Sequence, residues 1–252
     1  MKTTLLITSR NEINGMKAIL PKIRRDWVDE ILVVDGNSTD GSLEYAESLG
    51  FKTLKQKSKG LVGAYWEALE VTSGDIIIPF SPDGNSLPER IPDLVEKMKD
   101  GYAMVICSRY CGGAKSEDDD FVTAFGNWLF TRTVNLLYGG HYTDIMVIFR
   151  AYRKAIPHEL GLDREDAHAL PEKLFGTKIS WEPLLSVRAA KRKLKITEIP
   201  GDEPQRIGGR RKLQVLRWGA SYYFQFIREL WFWKPAKNES MHFAMKESRH
   251  EQ

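Results

Sequence analysis

Several features are scarce in this sequence of 252 residues, and each absence argues against a class of protein. The two cysteines, Cys107 and Cys111, come with no second cysteine pair and no nearby histidine cluster. A disulfide framework and a zinc site are therefore not expected. No apolar run approaches the roughly 20 residues that span a bilayer. The first residues reach Arg10 and Glu12 too soon for a signal peptide, so a cytoplasmic location is expected.

The sequence also lacks a large excess of positive or negative charge. The sequence has 37 Lys and Arg against 34 Asp and Glu, which leaves a net charge of +3. Binding to nucleic acid is therefore not expected. The one concentrated basic loop, residues 204–213, has two glycines and four cations. It fits a diphosphate or a lipid phosphate better than nucleic acid, because interleaved aromatic residues and an extended basic face are missing.

What the sequence does contain is an alternation of strand and helix patterns. Apolar segments that predict strands are found at residues 4–7, 31–34, 76–78 and 103–107, and helical spacing of apolar residues is found at 16–23, 42–49, 60–71 and 89–99. This alternation predicts parallel βαβ units in a single Rossmann-like α/β domain. Residues 121–137 are also helical, and their aromatic and aliphatic face is expected in the core. His158 and His168 lie in a poorly patterned stretch and are expected at the surface.

The most informative stretch is residues 74–89. Three consecutive isoleucines predict a strand covered on both faces. Pro79 and Pro82 predict that this strand breaks abruptly. Asp83 and Asn85 therefore lie at the carboxyl end of a central strand, with oxygens that suit Mg²⁺ or Mn²⁺. An Asp-Gly turn with no ligand explains the same local pattern.

Other charged residues follow the strands in a similar way. Glu12 comes after the first strand, Asp35 ends the second and Asp83 follows the central one. If these strands are parallel, the three carboxylates lie along one edge of the sheet, where α/β proteins bind nucleotides. Arg109 follows the strand at 103–107. It either meets a phosphate in bidentate fashion or forms a surface ion pair.

The C-terminal part turns aromatic. Residues 215–233 include eight aromatic side chains with cations among them. A helix of this kind either lies in a membrane interface or packs on the domain, with the last aromatics in a contact between subunits of a homo-oligomer. Residues 236–252 are polar and are expected to form a tail. We therefore divide the chain into a catalytic domain at 1–213, an aromatic helix at 214–235 and the tail.

Taken in order, these motifs resemble those of the family-two glycosyltransferases, and most closely the dolichol- or polyprenyl-phosphate sugar synthases. The resemblance runs from residue 4 to about 213. The matching motifs include Asn11-Glu12, the segment Val-Val-Asp-Gly-Asn-Ser-Thr-Asp-Gly at 33–41, the segment Ser-Pro-Asp-Gly-Asn at 81–85, and Glu198-Ile199-Pro200 followed by Arg206 and Lys212. The resemblance implies a glycosyltransferase-A fold and an inverting transfer from a nucleotide-diphosphate sugar to a dolichyl or polyprenyl phosphate.

The resemblance also implies a role for each matching position. The residues expected to bind the nucleotide sugar are Thr8, Arg10, Glu12, Asp35, Asn37, Lys59, Gly60, Ser81, Pro82 and Asp83. Those expected to hold Mg²⁺ or Mn²⁺ are Asp83 and Asn85. Those expected to serve catalysis are Arg109, Asp144, Arg150, Arg206 and Lys212. The first acid of the family's metal motif is Ser81 here, so a weaker metal affinity is expected.

The sequence leaves three interpretations open: two acceptors for a transferase, and a protein with no catalytic activity. A lipid phosphate is already an anion and needs no general base, and it would bring the enzyme to the inner face of the membrane. A sugar hydroxyl on a growing glycan, such as a surface polysaccharide, would need a carboxylate to take its proton, and Asp144 is the candidate. The third reading is a non-catalytic protein of this fold that binds nucleotides, and Ser81 motivates it.

Overall fold

The computed structural model of the protein describes residues 1–207 and 215–235. Its strands are β1 (Thr3–Ser9), β2 (Glu30–Asp35), β3 (Lys52–Lys55), β4 (Ile76–Phe80), β5 (Met104–Ser108), β6 (Arg150–Arg153) and β7 (Ile196–Pro200). The α-helices of the described residues are α1 (Ile13–Ile19), α2 (Ser42–Ser48), α3 (Leu61–Val71), α4 (Ile91–Met98), α5 (Phe121–Tyr138), α6 (Ile156–Glu159), α7 (Glu165–Phe175), α8 (Glu182–Lys191) and α9 (Val215–Phe232). Short 3₁₀ helices cover Leu20–Lys22, Arg25–Trp27 and Pro88–Arg90.

The strands form one sheet in the order β3-β2-β1-β4-β6-β5-β7. All neighbouring pairs are parallel except those made by β6, which is antiparallel to β4 and β5. Successive side chains of a strand point to opposite faces, so Leu5 and Ile7 enter one buried cluster while Leu6 enters the other. The mostly parallel α/β domain predicted from the sequence is confirmed.

The central strand does not end at its first proline. β4 runs through Pro79 to Phe80, with Pro79 in register with Leu6 of β1. On its other side, β4 pairs with β6 only at Ile76 and Ile77. Beyond those two residues the strand has one neighbour, and a residue that lacks an N–H is tolerated there. The predicted break is therefore displaced to Ser81.

The aromatic helix α9 packs on the domain, against α5, α7 and α8. Tyr222 and Phe226 are buried, and Arg188 of α8 donates to Glu229 of α9 at 2.9 Å in a buried ion pair. Most of α9 therefore packs on the domain, which is the second of the two alternatives given for this helix. Among the described residues, no helix is both long and apolar enough to cross a membrane.

One expectation about burial holds only in part, and another was wrong. In α5, Val134 is buried and Phe130 and Tyr138 pack on the core, but Phe121, Phe125, Trp128 and Leu136 are exposed. His168 is only 7% exposed because α7 lies under α9, with Arg228 of α9 donating to the carbonyl of Ala167 beside it. His158 is exposed, as expected.

Candidate active site

The carboxyl ends of β1, β2 and β4 lie level along one edge of the sheet. Ser9 of β1 is in register with Asp35 of β2, and Ile7 of β1 is in register with Phe80 of β4. The residues that follow these strands therefore meet at this edge, as predicted for Glu12, Asp35 and Asp83.

Asp35 has an unusual hydrogen-bonding state at this edge. Its side chain is 1% exposed, and its Oδ2 accepts a hydrogen bond from the Ser38 N–H at 3.0 Å. Within the described residues its Oδ1 has no hydrogen-bond partner. Buried carboxylate oxygens are almost always paired, so an unpaired one is unusual and makes Asp35 a candidate ligand-binding residue.

The loops after β1 and β2 are joined to each other. Asn11 N–H donates to Ser38 Oγ at 2.9 Å, Asn11 Oδ1 accepts from Thr39 N–H at 2.8 Å, and Glu12 N–H donates to Ser42 Oγ at 3.0 Å. Asn11 has a φ of 55°, a conformation that asparagine adopts more readily than most residues. These bonds place Glu12 beside the loop of Asp35. Thr8 lies near the end of β1, and Arg10 is exposed directly after it.

A third loop joins the same edge through Gln56. Its N–H donates to the Asp35 carbonyl at 2.9 Å, its Nε2 donates to the Gly60 carbonyl at 2.7 Å, and its own carbonyl accepts from Asn37 Nδ2 at 2.9 Å. Gly60 has a φ of 87°, which favours glycine, and Lys59 beside it is exposed. The structure therefore brings Asn37, Lys59 and Gly60 close to Asp35.

The loop after β4 is held from two sides. On one side α1 approaches so closely that a Cβ on Gly15 would lie 2.3 Å from the Pro82 carbonyl oxygen. On the other side the Ile207 N–H donates to the Asp83 carbonyl at 2.6 Å. Ser81 is half-buried, and Pro82 and Asp83 are buried. The basic segment after β7 therefore packs against the loop that carries the predicted metal ligands.

Asp83 and Asn85 fit a divalent cation by the chemistry of their oxygens. Asn85 N–H donates to Asp83 Oδ1 at 3.3 Å, and Arg206 Nη2 lies 3.4 Å from Asp83 Oδ2. No group of three or more His, Cys, Asp or Glu side chains that could hold a metal occurs in residues 1–207 and 215–235. A cation at this loop would therefore depend on oxygens from a bound ligand, as small, hard cations often do.

Arg109 lies on the other side of the site and is surrounded by carboxylates. Its Nε and Nη2 donate to Asp144 at 2.6 Å and 3.1 Å, and its Nη1 donates to Glu203 at 3.1 Å and to Asp119 at 3.5 Å. The side chain is 11% exposed. Burial lowers the pKa of Arg109, but the three carboxylates outweigh it and hold the pKa well above its ordinary value. The ion-pair alternative describes these contacts, although the partners lie in the site and not on the open surface.

Asp144 is enclosed by its partners. Its side chain is fully buried, and its Oδ1 also accepts from the Met146 N–H at 3.0 Å. Burial raises the pKa of Asp144, but the charge and hydrogen bonds of Arg109 outweigh this and keep the pKa below its ordinary value. A carboxylate held in this way is a weak base. Its environment favours a role in orienting Arg109 over the predicted role as general base.

Glu203 is a site residue that the sequence did not reveal. Besides Arg109, it accepts from Ser116 Oγ and from Asn85 Nδ2, the latter at 3.4 Å. Burial raises the pKa of Glu203, and Arg109 and Ser116 offset part of this rise. The residue belongs to no motif, and its only sequence signal is that it follows another acid, Asp202, directly before the basic loop at 204–213.

Of the predicted catalytic residues, Arg150 lies outside the site and Lys212 lies outside the described residues. Arg150 is fully buried, and its guanidinium donates to Ser186 Oγ at 2.9 Å and to the carbonyls of Val147 and Ile145. Because the chain itself uses these donors, Arg150 fixes the segment before β6 to α8, and these contacts do not support its predicted catalytic role. Arg206 does reach the site, where its Nε also lies 3.5 Å from Asp118.

The chain belongs to glycosyl transferase family 2, because the model of that family matches residues 4–161, more than half of its length. It is a glycosyltransferase with a glycosyltransferase-A fold. It is similar to the undecaprenyl-phosphate mannosyltransferase of Micrococcus luteus, with 27% identity over 249 residues, covering 90% of this chain and 98% of the relative. It is also similar to the dolichol-phosphate mannosyltransferase of Pyrococcus furiosus, with 26% identity over 241 residues, covering 92% of this chain and 63% of the relative.

Solved structures support the same fold. Glucosyl-3-phosphoglycerate synthase from Mycobacterium tuberculosis, in complex with Mn²⁺, uridine diphosphate and phosphoglyceric acid, matches with a TM-score of 0.65 and 19% identity. The match covers 94% of this chain and 80% of that one. The resemblance to family-two glycosyltransferases of the polyprenyl-phosphate branch, stated from the sequence, is confirmed.

Proposed function

We propose that this chain transfers a sugar, with inversion, from a nucleotide-diphosphate sugar to a polyprenyl or dolichyl phosphate. The observation that carries the proposal is the sheet edge itself, where the buried Oδ1 of Asp35, which has no hydrogen-bond partner among residues 1–207 and 215–235, lies in line with the Asp83 loop. Relatives named as acting on undecaprenyl and dolichol phosphate support the choice of acceptor.

The donor is expected to bind along this edge. Asp35 accepts a hydrogen bond from the nucleoside, and the joined loops of Glu12 and Asn37 frame the same position. The diphosphate then extends toward Asp83, Asn85 and Arg206. Arg206 is placed to offset the negative charge that develops on the leaving nucleoside diphosphate.

Asp83 and Asn85 are the residues that would hold Mg²⁺ or Mn²⁺ together with the donor diphosphate. A divalent cation at this position supplies Lewis-acid stabilisation of the diphosphate as it leaves. The solved relative that contains Mn²⁺ with uridine diphosphate supports this assignment. With Ser81 in place of an acid, the protein itself contributes less negative charge, so the cation depends more on the donor.

The state of Asp144 favours an anionic acceptor over a sugar hydroxyl. A hydroxyl acceptor needs a base, and the candidate base is bound to Arg109 with its pKa lowered. A lipid phosphate attacks the anomeric carbon as an anion and transfers no proton. Attack from the face opposite the diphosphate gives inversion at that carbon.

The test is a transfer assay with a panel of nucleotide sugars, Mn²⁺ or Mg²⁺, and three acceptors: a short-chain polyprenyl phosphate, the matching polyprenol and a soluble oligosaccharide. Release of nucleoside diphosphate with polyprenyl phosphate alone, and a product of inverted anomeric configuration by NMR, is the expected result. Transfer to the oligosaccharide but not to the lipid would overturn the acceptor assignment.

Ligand binding is checked separately by thermal shift, since a ligand that binds only the native state raises Tm. A rise with one nucleoside diphosphate that EDTA abolishes is expected. A rise that EDTA leaves unchanged would remove the cation from the proposal. A rise in Tm without turnover of any acceptor would instead support a non-catalytic protein that binds nucleotides.

A further inference from the structure

Helix α5 presents an exposed apolar face. Phe121 and Leu136 are 85% and 86% exposed, and Phe125 and Trp128 are 51% and 54% exposed. These residues recur at the spacing of one helical face. The rings of Phe121 and Phe125 lie 6.5 Å apart and those of Phe125 and Trp128 5.7 Å apart, so they form a continuous aromatic ridge. We call these four residues the α5 ridge.

Large apolar side chains lie on both sides of α5. The inward side has Val134 in the core, with Phe130 and Tyr138 packed against it, and it also buries Asn127 and Thr131, at 6% and 5% exposure. Within the described residues, Asn127 Oδ1 and Thr131 Oγ1 have no hydrogen-bond partner. A helix that faces water buries its apolar side chains and exposes its polar ones. The α5 ridge is a contiguous cluster of large apolar side chains in addition to that inward side, which indicates that it faces an apolar medium in the working protein.

The ridge begins at the acceptor side of the active site. Asp120 caps α5 by accepting from the Thr123 N–H at 2.8 Å, so Phe121 is the first residue of the helix. The two residues before Asp120 belong to the site, since Asp119 contacts Arg109 and Asp118 contacts Arg206. An apolar chain attached to a phosphate at these arginines therefore has the ridge beside its exit.

The dimensions of the ridge disfavour a second protein molecule. An α-helix of 18 residues is about 27 Å long, and one exposed side of it is about 10 Å wide. That strip is well below the roughly 800 Å² per partner of a standard protein interface. Arg132 lies on the same face and is exposed. A long cationic side chain within an aromatic strip suits the layer between lipid tails and phosphates.

We propose that the α5 ridge inserts into the surface of a phospholipid bilayer and so holds the active site against the membrane. The choice of a bilayer rests on the proposed lipid-phosphate acceptor. This surface differs from the aromatic helix α9, whose Tyr222 and Phe226 are buried inside the domain.

The experiment is co-sedimentation of the full chain with vesicles of phosphatidylcholine and phosphatidylglycerol that contain neither donor nor polyprenyl phosphate. The variant Phe125→Ser/Trp128→Ser removes two ridge side chains that are already exposed. The control variant Leu170→Ser/Leu174→Ser removes two apolar side chains of α7 that are 47% and 59% exposed. We expect the ridge variant to lower the vesicle partition coefficient at least about tenfold and the control to change it less than about threefold.

A second readout reports contact directly. Vesicles made with brominated lipid quench tryptophan fluorescence on contact, and we expect Trp128→Phe to remove most of this quenching while binding persists. Sedimentation velocity without vesicles tests the alternative occupant. Absence of vesicle binding by the unmodified chain, equal losses in both double variants, or a dimer that the ridge variant dissociates would overturn the proposal.

The outcome is separable from that of the proposed function. The vesicles contain no acceptor, so ridge-dependent binding stands even where the transfer assay finds no lipid acceptor. Conversely, turnover of a short-chain polyprenyl phosphate in detergent, together with equal vesicle binding by both variants, would retain the enzyme function and remove the docking surface.

Discussion

Arg109 forms a bidentate ion pair with both carboxylate oxygens of Asp144, with Nε 2.6 Å from Oδ2 and Nη2 3.1 Å from Oδ1. The backbone at Asp144 is held in place by Glu198, which accepts hydrogen bonds from the Thr143 and Asp144 N–H groups. Arg109 is thereby held in one orientation, with its Nη1 directed at Glu203 and Asp119.

This pair predicts a non-additive effect on activity. Asp144→Asn leaves a buried guanidinium less well paired, so we expect a loss of about 3 kcal/mol in the free energy of unfolding and a large drop in turnover. If Asp144 acts by holding Arg109, the double variant Arg109→Met/Asp144→Asn will be no less active than Arg109→Met alone. Measured turnover of the two single variants and the double variant checks this. Additive losses in ln kcat would instead indicate that Asp144 acts on the substrate itself.

Asp35 is expected to contribute to nucleotide binding through its Oδ1, which no group in the described part of the chain satisfies. Asp35→Asn replaces a charged acceptor with a neutral amide, and we expect roughly 10- to 100-fold weaker binding of the preferred nucleoside diphosphate by calorimetry. The matched control is Asp93→Asn on the exposed face of α4, whose carboxylate forms a surface salt bridge with Arg90. Equal affinity of the two variants would place the nucleoside elsewhere.

Ser81 offers a gain-of-function test at the metal loop. Ser81→Asp adds a carboxylate two residues before Asp83, and we expect Mn²⁺ to bind at least about tenfold more tightly, equivalent to about 1.4 kcal/mol, when nucleoside diphosphate is present. Electron paramagnetic resonance of free Mn²⁺ measures this without turnover. Asp83→Asn should weaken the same binding. An unchanged affinity in both variants would show that this loop does not hold the cation.

His168 predicts a pH dependence of stability. Burial, together with the positive charge of Arg188, lowers the pKa of His168 from 6.5 to about 4. Between these values the unfolded chain binds a proton that the folded chain does not, so stability rises with pH across this window and is lost as pH falls. The shift corresponds to about 3 kcal/mol by pH 4.

The variant His168→Gln removes this titration. Urea unfolding at several pH values between 6.5 and 4 should give a steeper loss of stability for the unmodified chain than for the variant. Parallel profiles would mean that His168 is protonated inside the fold, and the carboxylates common to both proteins would then account for the whole dependence.

The sequence by itself determined the α/β architecture and the edge of the sheet along which the candidate site lies. Runs such as Ile76 to Ile78 and their alternation with helical periods specify parallel strands, because burial on both faces requires continuous apolar residues. Polar residues directly after those strands, Asp35 and Asp83 among them, must then lie at one edge. These are local patterns, and no tertiary contact was needed to predict them.

Partnerships across distant segments were decided only by the tertiary structure. From the sequence, Arg109 and Arg150 were both expected to be available for catalysis. In the structure, Arg109 pairs with carboxylates 10, 35 and 94 positions away, and Arg150 is buried against α8. Glu203 belongs to the site only because the segment after β7 folds back onto Asp83. The outward direction of Phe121, Phe125 and Trp128 in α5 was likewise not predictable, because helical spacing gives a face but does not say whether that face meets the core or the surroundings.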